Sequence, residues 1–180
     1  MAQLTTTFAG LKLSNPIIIS SSGLTNSVEK IKKLEEAGAG AVVLKSVFEE
    51  QINIQAGQMG GYGSPEADDY LNAYVRSNAL NEHIELIKEA KKSCNIPIIA
   101  SINCYTKSEW TDFAKIMEDA GADAIEINIL SLQTEKDYEY GNFEHLHIDV
   151  LKNIKKAVRI PVIMKLGSNL TNPIALINQL

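Results

Sequence analysis

The chain has 180 residues, 45% of them hydrophobic, which is enough apolar side chain to bury a core and too much for a disordered polymer, so one globular domain is expected. Its 17 Lys and Arg are outweighed by 22 Asp and Glu, and the two signs are interspersed, leaving no basic stripe for nucleic acid or an anionic membrane and favouring a small-molecule partner. Only Cys94 and Cys104 are present, and neither a leader pattern nor a long apolar span is read, so a cytoplasmic protein without disulfide staples is expected.

Residues 5–13 alternate in polarity on either side of Ala9-Gly10, which predicts a small hairpin. After Asn15-Pro16 the pattern changes to short, predominantly apolar runs at residues 17–19, 41–44, 96–102, 124–129 and 160–166. Runs without polar alternation suit strands covered on both faces. Between them lie amphipathic helical patterns. Val28, Ile31 and Leu34 mark the first, and Leu80, Ile84 and Ile87 the second. Trp110, Phe113, Ala114 and Met117 mark the third, and Val150, Leu151, Ile154, Ala157 and Val158 the fourth. The joins repeat: Ala37-Gly38-Ala39-Gly40 matches Ala120-Gly121-Ala122-Asp123, and Asn95-Ile96-Pro97 matches Arg159-Ile160-Pro161. Such alternation implies a parallel sheet with helical crossovers. Thr171-Asn172-Pro173 then opens a fifth helix, with Asn172 as cap and Pro173 at the first helical position.

A parallel sheet is either open and doubly wound or closed into a barrel, and the polar residues separate the two. They gather at the C-terminal end of every strand: 20–23, Lys45-Ser46, Ser101 and Asn103, Glu126 and Asn128, and Lys165. A barrel builds its site there from several strands at once, whereas a Rossmann sheet would show a glycine-rich turn after its first strand, which is missing. The expected fold is therefore α/β, a (β/α)₈ TIM barrel of which residues 1–180 supply the N-terminal part. Residues 1–14 are read as the hairpin and residues 15–180 as strands one to five, ending within the fifth helix.

Alternation along a strand puts Glu126 and Asn128 on one face, opposed by Ile125 and Ile127 toward the helices. The same count sets Lys165 with Ile163, and Lys45 with Val43, on the inner face. Inward cations are costly unless an anionic or electron-rich group meets them, so two lysines at one mouth point to a ligand that acquires negative charge. Pairing with a carboxylate such as Glu126, or snorkelling to water, is the plainer reading of either lysine alone.

The segments Asn15-Pro-Ile-Ile-Ile-Ser-Ser-Ser-Gly23, Ala37-Gly-Ala-Gly-Ala-Val-Val-Leu-Lys-Ser46, Glu126-Ile-Asn-Ile129 and Pro161-Val-Ile-Met-Lys165 together resemble the dihydroorotate dehydrogenase superfamily in order and spacing. Phe48-Glu-Glu-Gln-Ile52 and Asn128-Ile-Leu-Ser-Leu132 are similar to its dihydroorotate dehydrogenase-like branch. The resemblance implies an FMN-dependent oxidoreductase of pyrimidine biosynthesis that passes hydride from dihydroorotate or a related molecule to flavin. By it, Ser22 and Gly23 approach the flavin, Lys45, Ser46 and Lys165 lie against it, and Asn103 and Asn128 hydrogen-bond flavin or substrate. Lys45 is also counted among the catalytic residues. Ser131 matches the position of the family's base, where a serine hydroxyl would need a relay or the flavin's pull to take a proton. The chain departs from the family at Leu132-Gln133, where Pro-Asn is usual, and has no clear counterpart of the substrate loop after strand two. Residues 51–70 carry Gly57, Gly60, Gly61, Gly63 and Pro65 instead and read as a mobile loop. The phosphate-binding loops of late strands would lie beyond Leu180, so the 180 residues alone are expected to be inactive, to hold FMN weakly or not at all and to form homo-oligomers through open sheet edges.

Two other readings stand beside this one: a Schiff-base aldolase built on Lys165, and a non-catalytic half-barrel whose biology is association. Glu144, His145 and His147 read as a solvated helix start rather than a metal site, Cys104 as a small apolar filler, and Tyr138, Tyr140 and Phe143 as a possible lid.

Overall fold

The computed structural model describes residues 4–52, 54, 65–104, 107–130, 134, 136 and 138–180. Strands β1 (Thr6–Phe8) and β2 (Leu11–Leu13) form the hairpin. Phe8 pairs with Leu11, so Ala9 and Gly10 alone make the turn, both at positive φ (48° and 80°), the conformation that matches the twist of an antiparallel pair.

Next in chain order come β3 (Ile18–Ile19), α1 (Val28–Glu36), β4 (Ala41–Val43), β5 (Val47–Phe48), α2 (Pro65–Ser93) and β6 (Ile98–Asn103). They are followed by α3 (Lys107–Asp119), β7 (Ala124–Asn128), α4 (Asn142–Ala157), β8 (Val162–Lys165) and α5 (Pro173–Ile177). The sheet runs β3-β4-β6-β7-β8, parallel throughout and in chain order, with β5 carrying the line of β4 onward along β6. An all-parallel sheet that never reverses its order is the wall of a barrel, here five positions of it.

The repeated joins have a physical cause. At each, a glycine at φ 94° (Gly38) or 98° (Gly121) ends the helix, its N–H bonding back to Glu35 or Glu118, while Ala39 and Ala122 reach Leu34 and Met117. This is the six-to-one and five-to-two bonding of a left-handed helix cap. The same two glutamates hold the second repeat in place. Glu35 accepts the Asn95 N–H at 2.8 Å, and Glu118 accepts those of Arg159 and Ile160 at 2.7 and 3.1 Å. Gly40 has a different necessity, because a Cβ there would lie 2.2 Å from the Asn15 carbonyl oxygen.

The two faces of the sheet pack differently. Ile125 and Ile127 are fully buried on the outer side, in one cluster with Trp110, Phe113, Phe143 and Ile154 of the helices. Inside, Ala41, Val43, Ile99 and Ala124 pack with Leu13 of the hairpin, which covers the inner face near the N-terminal ends of the strands. That leaves the C-terminal ends as the polar end of the barrel wall. The fourth helix starts two turns before its apolar spacing announces it, because Glu144, His145 and His147 dilute its first turns.

Candidate functional site

Two residues beyond the inner apolar cluster, the inward positions turn polar. Ser101 follows Ile99 on β6, Glu126 follows Ala124 on β7, and Lys165 follows Ile163 on β8. These side chains meet across the strands. The Ser101 hydroxyl donates to Glu126 Oε1 at 2.9 Å, and the Lys165 ammonium stands 4.0 Å from the same oxygen. On the other side Ser101 Oγ is 2.7 Å from Ser46 Oγ, which is 3.0 Å from Ser21 Oγ. Ser21 Oγ also accepts the Ser46 N–H at 2.9 Å, tying the end of strand one to the bend after β4. Ser46, Ser101 and Glu126 are buried, whereas 44% of the Lys165 side chain is exposed, so the row runs from a closed interior to an open rim.

The other expected site residues border this row. Asn128 opposes Lys165 in register and is half-buried. Asn103 is buried at the end of β6 beside Phe48. Ser22 caps a short 3₁₀ turn, its oxygen accepting the Leu24 N–H at 3.2 Å, and fully buried Thr25 closes the turn with a hydrogen bond to the Ser22 carbonyl. Gly23 faces open space, since an added Cβ would touch nothing. Ser131, Leu132 and Gln133 lie outside the described residues, as do residues 53 and 55–64 of the glycine-rich segment.

Lys45 differs from its expected setting. Counting from Val43 along an unbroken pleat sets it on the inner face, but residues 44–46 belong to no strand, and the bend turns Ser46 inward instead. Lys45 is exposed and lines a cavity of about 260 Å³ between this bend and α2. Ser46, Phe48 and Gln51 share one wall, and Glu82 and His83 the other. Among the described residues no hydrogen bond joins Lys45 to the Ser46–Lys165 row.

His83 and the linking of Ser21, Ser46 and Ser101 into one row were the least visible features in the sequence. His83 follows Ala79 by one turn on the buried side of α2, a spacing that could have flagged it. Its Nε2 is buried with no hydrogen-bond partner, and burial pushes the imidazolium from its ordinary 6.5 to about 4.

The reading of Glu144, His145 and His147 as a solvated helix start is corrected at His147, which is fully buried. Its Nδ1 lies 2.7 Å from the Phe143 carbonyl oxygen, which can only accept, so Nδ1 carries the hydrogen. The ring meets Phe143 edge to face at 4.7 Å, and this packing draws the first turns of α4 into the core. Phe143 is thereby a core residue and its N–H donates to the Tyr138 hydroxyl at 3.3 Å, while Tyr140 is exposed. Cys104 is buried at the end of β6. Among the described residues no His, Cys, Asp and Glu group could hold a metal, and no helix is long and apolar enough to cross a membrane.

The family model described as dihydroorotate dehydrogenase matches residues 3–178. The catalytic subunit of dihydroorotate dehydrogenase B (NAD(+)) from Thermoplasma volcanium is 37% identical over 182 residues, covering 96% of this chain and 56% of the relative. A subunit of NAD-dependent dihydropyrimidine dehydrogenase from Escherichia coli K12 is 24% identical, covering 93% of this chain and 42% of the relative. The chain thus spans about half the length of the curated relatives it matches. Among solved structures, a dihydrodipicolinate synthase from Acinetobacter baumannii aligns with a TM-score of 0.51 at 19% identity, covering 82% of this chain and 44% of that one. That likeness concerns the fold alone.

Proposed function

The chain belongs to the dihydroorotate dehydrogenase family, and we propose that the polar rim of its barrel wall is the flavin and substrate site of an FMN-dependent oxidoreductase of pyrimidine biosynthesis. The substrate class is dihydroorotate or a related dihydropyrimidine. The observation that carries this reading is the convergence of Lys165, Asn128, Glu126, Ser101 and Ser46 at the C-terminal ends of neighbouring strands.

The residues fit such a ligand. Among the described residues Lys165 has one carboxylate near it, at 4.0 Å, and keeps donors for a second anionic or electron-rich group. Gly23 leaves open space where a side chain would otherwise stand. Ser22, Gly23, Lys45, Ser46, Asn103, Asn128 and Lys165 would hold FMN, which when bound supplies a ring that accepts hydride. The Lys165 ammonium would stabilise negative charge developing beside it, and Glu126, 4.0 Å away, would keep that ammonium at the rim. Asn128, one strand over, offers both donor and acceptor. Ser131 is the candidate base, three residues beyond Asn128. Both relatives are named for NAD, and the Thermoplasma one as a catalytic subunit, which supports NAD⁺ as electron acceptor through a second subunit.

Flavin titration of the purified protein, followed by absorbance, tests the reading. Weak binding through the ring-facing residues is expected, and Lys165→Gln should weaken it further, about tenfold to a hundredfold, the worth of a hydrogen bond to a charged group. Saturable trapping of a carbonyl compound on Lys165 by borohydride, without any flavin binding, would replace this function with a Schiff-base one. A homo-oligomer is part of the same proposal, since β3 and β8 each have one neighbour in the sheet and present an edge; light scattering reads it directly.

A further inference from the structure

Three serine hydroxyls connect a buried carboxylate to the outside of the barrel wall, and their hydrogen bonds can all run in one direction. Ser101 spends its single hydroxyl hydrogen on Glu126, so the 2.7 Å contact between Ser101 and Ser46 must use the Ser46 hydrogen. Ser46 Oγ has then only acceptor capacity left, and the 3.0 Å contact with Ser21 uses the Ser21 hydrogen. Ser21 keeps one lone pair for the Ser46 N–H and another for a donor from outside. Ser101 is fully buried and Ser46 nearly so, but Ser21 is only half-buried. The chain therefore starts at half-buried Ser21 and ends at Glu126, three strand positions away in the order β3-β4-β6-β7.

We propose that Ser21, Ser46 and Ser101 form a proton wire whose inner terminus is Glu126, the wire serving the rim at which Lys165 stands. The inference rests on the oxidoreductase reading for its purpose, because oxidation by hydride loss also releases a proton that must leave the rim. Its balance is complete within the chain. A proton added at Ser21 Oγ lets Ser21 pass its own hydrogen to Ser46, Ser46 to Ser101 and Ser101 to Glu126, where one O–H bond forms. Each serine ends with one hydrogen, now pointing outward, and the carboxylate has become a carboxylic acid. The reverse sequence returns the proton. No electron moves and no further reactant is needed. Bonds of this kind polarise one another, so a change at one end is felt at the other. The groups that face Glu126 are Ser101 on β6 and Lys165 on β8, with Asn128 next on its own side of β7. Glu126 and the serines are positioning and relay residues; none is assigned contact with substrate.

Infrared titration of the purified chain tests the wire without any flavin. On acidification the protonated Glu126 carboxyl gives a C=O stretching band, identified by its loss in Glu126→Gln. Ser101→Ala must shift that band because it removes the direct partner. The deciding variant is Ser46→Ala, which touches neither Glu126 nor Lys165: the wire predicts a shift here as well, and its reversal in Ser46→Thr, which restores a hydroxyl. Ser21→Ala, at the half-buried outer end, provides the same test should Ser46→Ala not fold. A Glu126 band at the wild-type position in Ser46→Ala or Ser21→Ala would overturn the proposal and leave a local serine–carboxylate bond. FMN titration of the same samples keeps the two questions apart, since absence of binding in the wild type would remove the flavin reading while the infrared shift still decides the wire.

Discussion

Acidification should destabilise this protein in a window set by His83 that opens above the range in which carboxylates titrate. The imidazole lies on α2 against the cavity of about 260 Å³ that also receives Lys45 and Glu82. Its Nε2 is sealed from water without a partner, and burial lowers its titration from 6.5 to about 4. Between those values the unfolded chain binds a proton that the folded one refuses, so the unfolded state gains as pH falls. The stabilisation is thus complete above 6.5, is lost on the way down to about 4, and changes no further below that. The gap between the two values is worth at most about 3 kcal/mol, and because the ring is only partly enclosed, solvent screening reduces this to about 1–3 kcal/mol. Glu144, held below its ordinary 4.5 chiefly by the Thr171 N–H, adds its own loss only at lower pH. Urea midpoints measured from neutral pH down to about 4 should therefore fall in the wild type and stay flatter in His83→Leu. Parallel curves for the two proteins would show that His83 takes its proton freely in the folded state and refute the reasoning.

Glu126→Ala should cost about 2–4 kcal/mol in urea unfolding, because fully buried Ser101 loses its acceptor and a cavity opens. Glu126→Gln should stay within about 1 kcal/mol of wild type, since an amide oxygen still accepts and is cheaper to bury, and the half-exposed Lys165 contributes little to stability; equal losses in both variants would contradict this. Gly40→Ala should destabilise by about 1–3 kcal/mol, as its Cβ would meet the Asn15 carbonyl at 2.2 Å. Gly38→Ala, with open space but a φ of 94°, should cost about 1 kcal/mol, and the reverse order in thermal unfolding would refute the packing argument.

The barrel was legible because its strands advertise themselves. The apolar run at 41–44 and the alternating run at 124–129 mark β4 and β7 to within a residue, and the repeated Ala-Gly joins mark helix caps whose glycines sit at positive φ. Strand alternation also set Glu126, Asn128 and Lys165 on the inner side correctly, since Ala124 and Ile163 lie in the inner cluster. The same rule failed at Lys45, where three residues between β4 and β5 leave the pleat and the count loses its phase. His147 was misread for a related reason: a polar residue looks solvated in a sequence, while a backbone carbonyl one turn back can take its Nδ1 hydrogen and an aromatic edge can pack on its ring inside. Ser21, Ser46 and Ser101 were legible one by one as polar strand ends, but their hydrogen bonding to one another was not, because they stand 25 and 55 positions apart and share no local pattern. Only the parallel register brings them together.

The central claim is that one flavin-type ligand is met by the C-terminal ends of several strands at once, and hydrogen–deuterium exchange with and without saturating FMN reads this most directly. Slower exchange is expected together in peptides covering Ser22 and Gly23, Lys45 and Ser46, Asn103, Asn128 and Lys165, with the hairpin strands β1 and β2 unchanged at the opposite end. Protection confined to a single peptide, or falling on the hairpin end while the strand ends exchange as before, would contradict a flavin site at this rim.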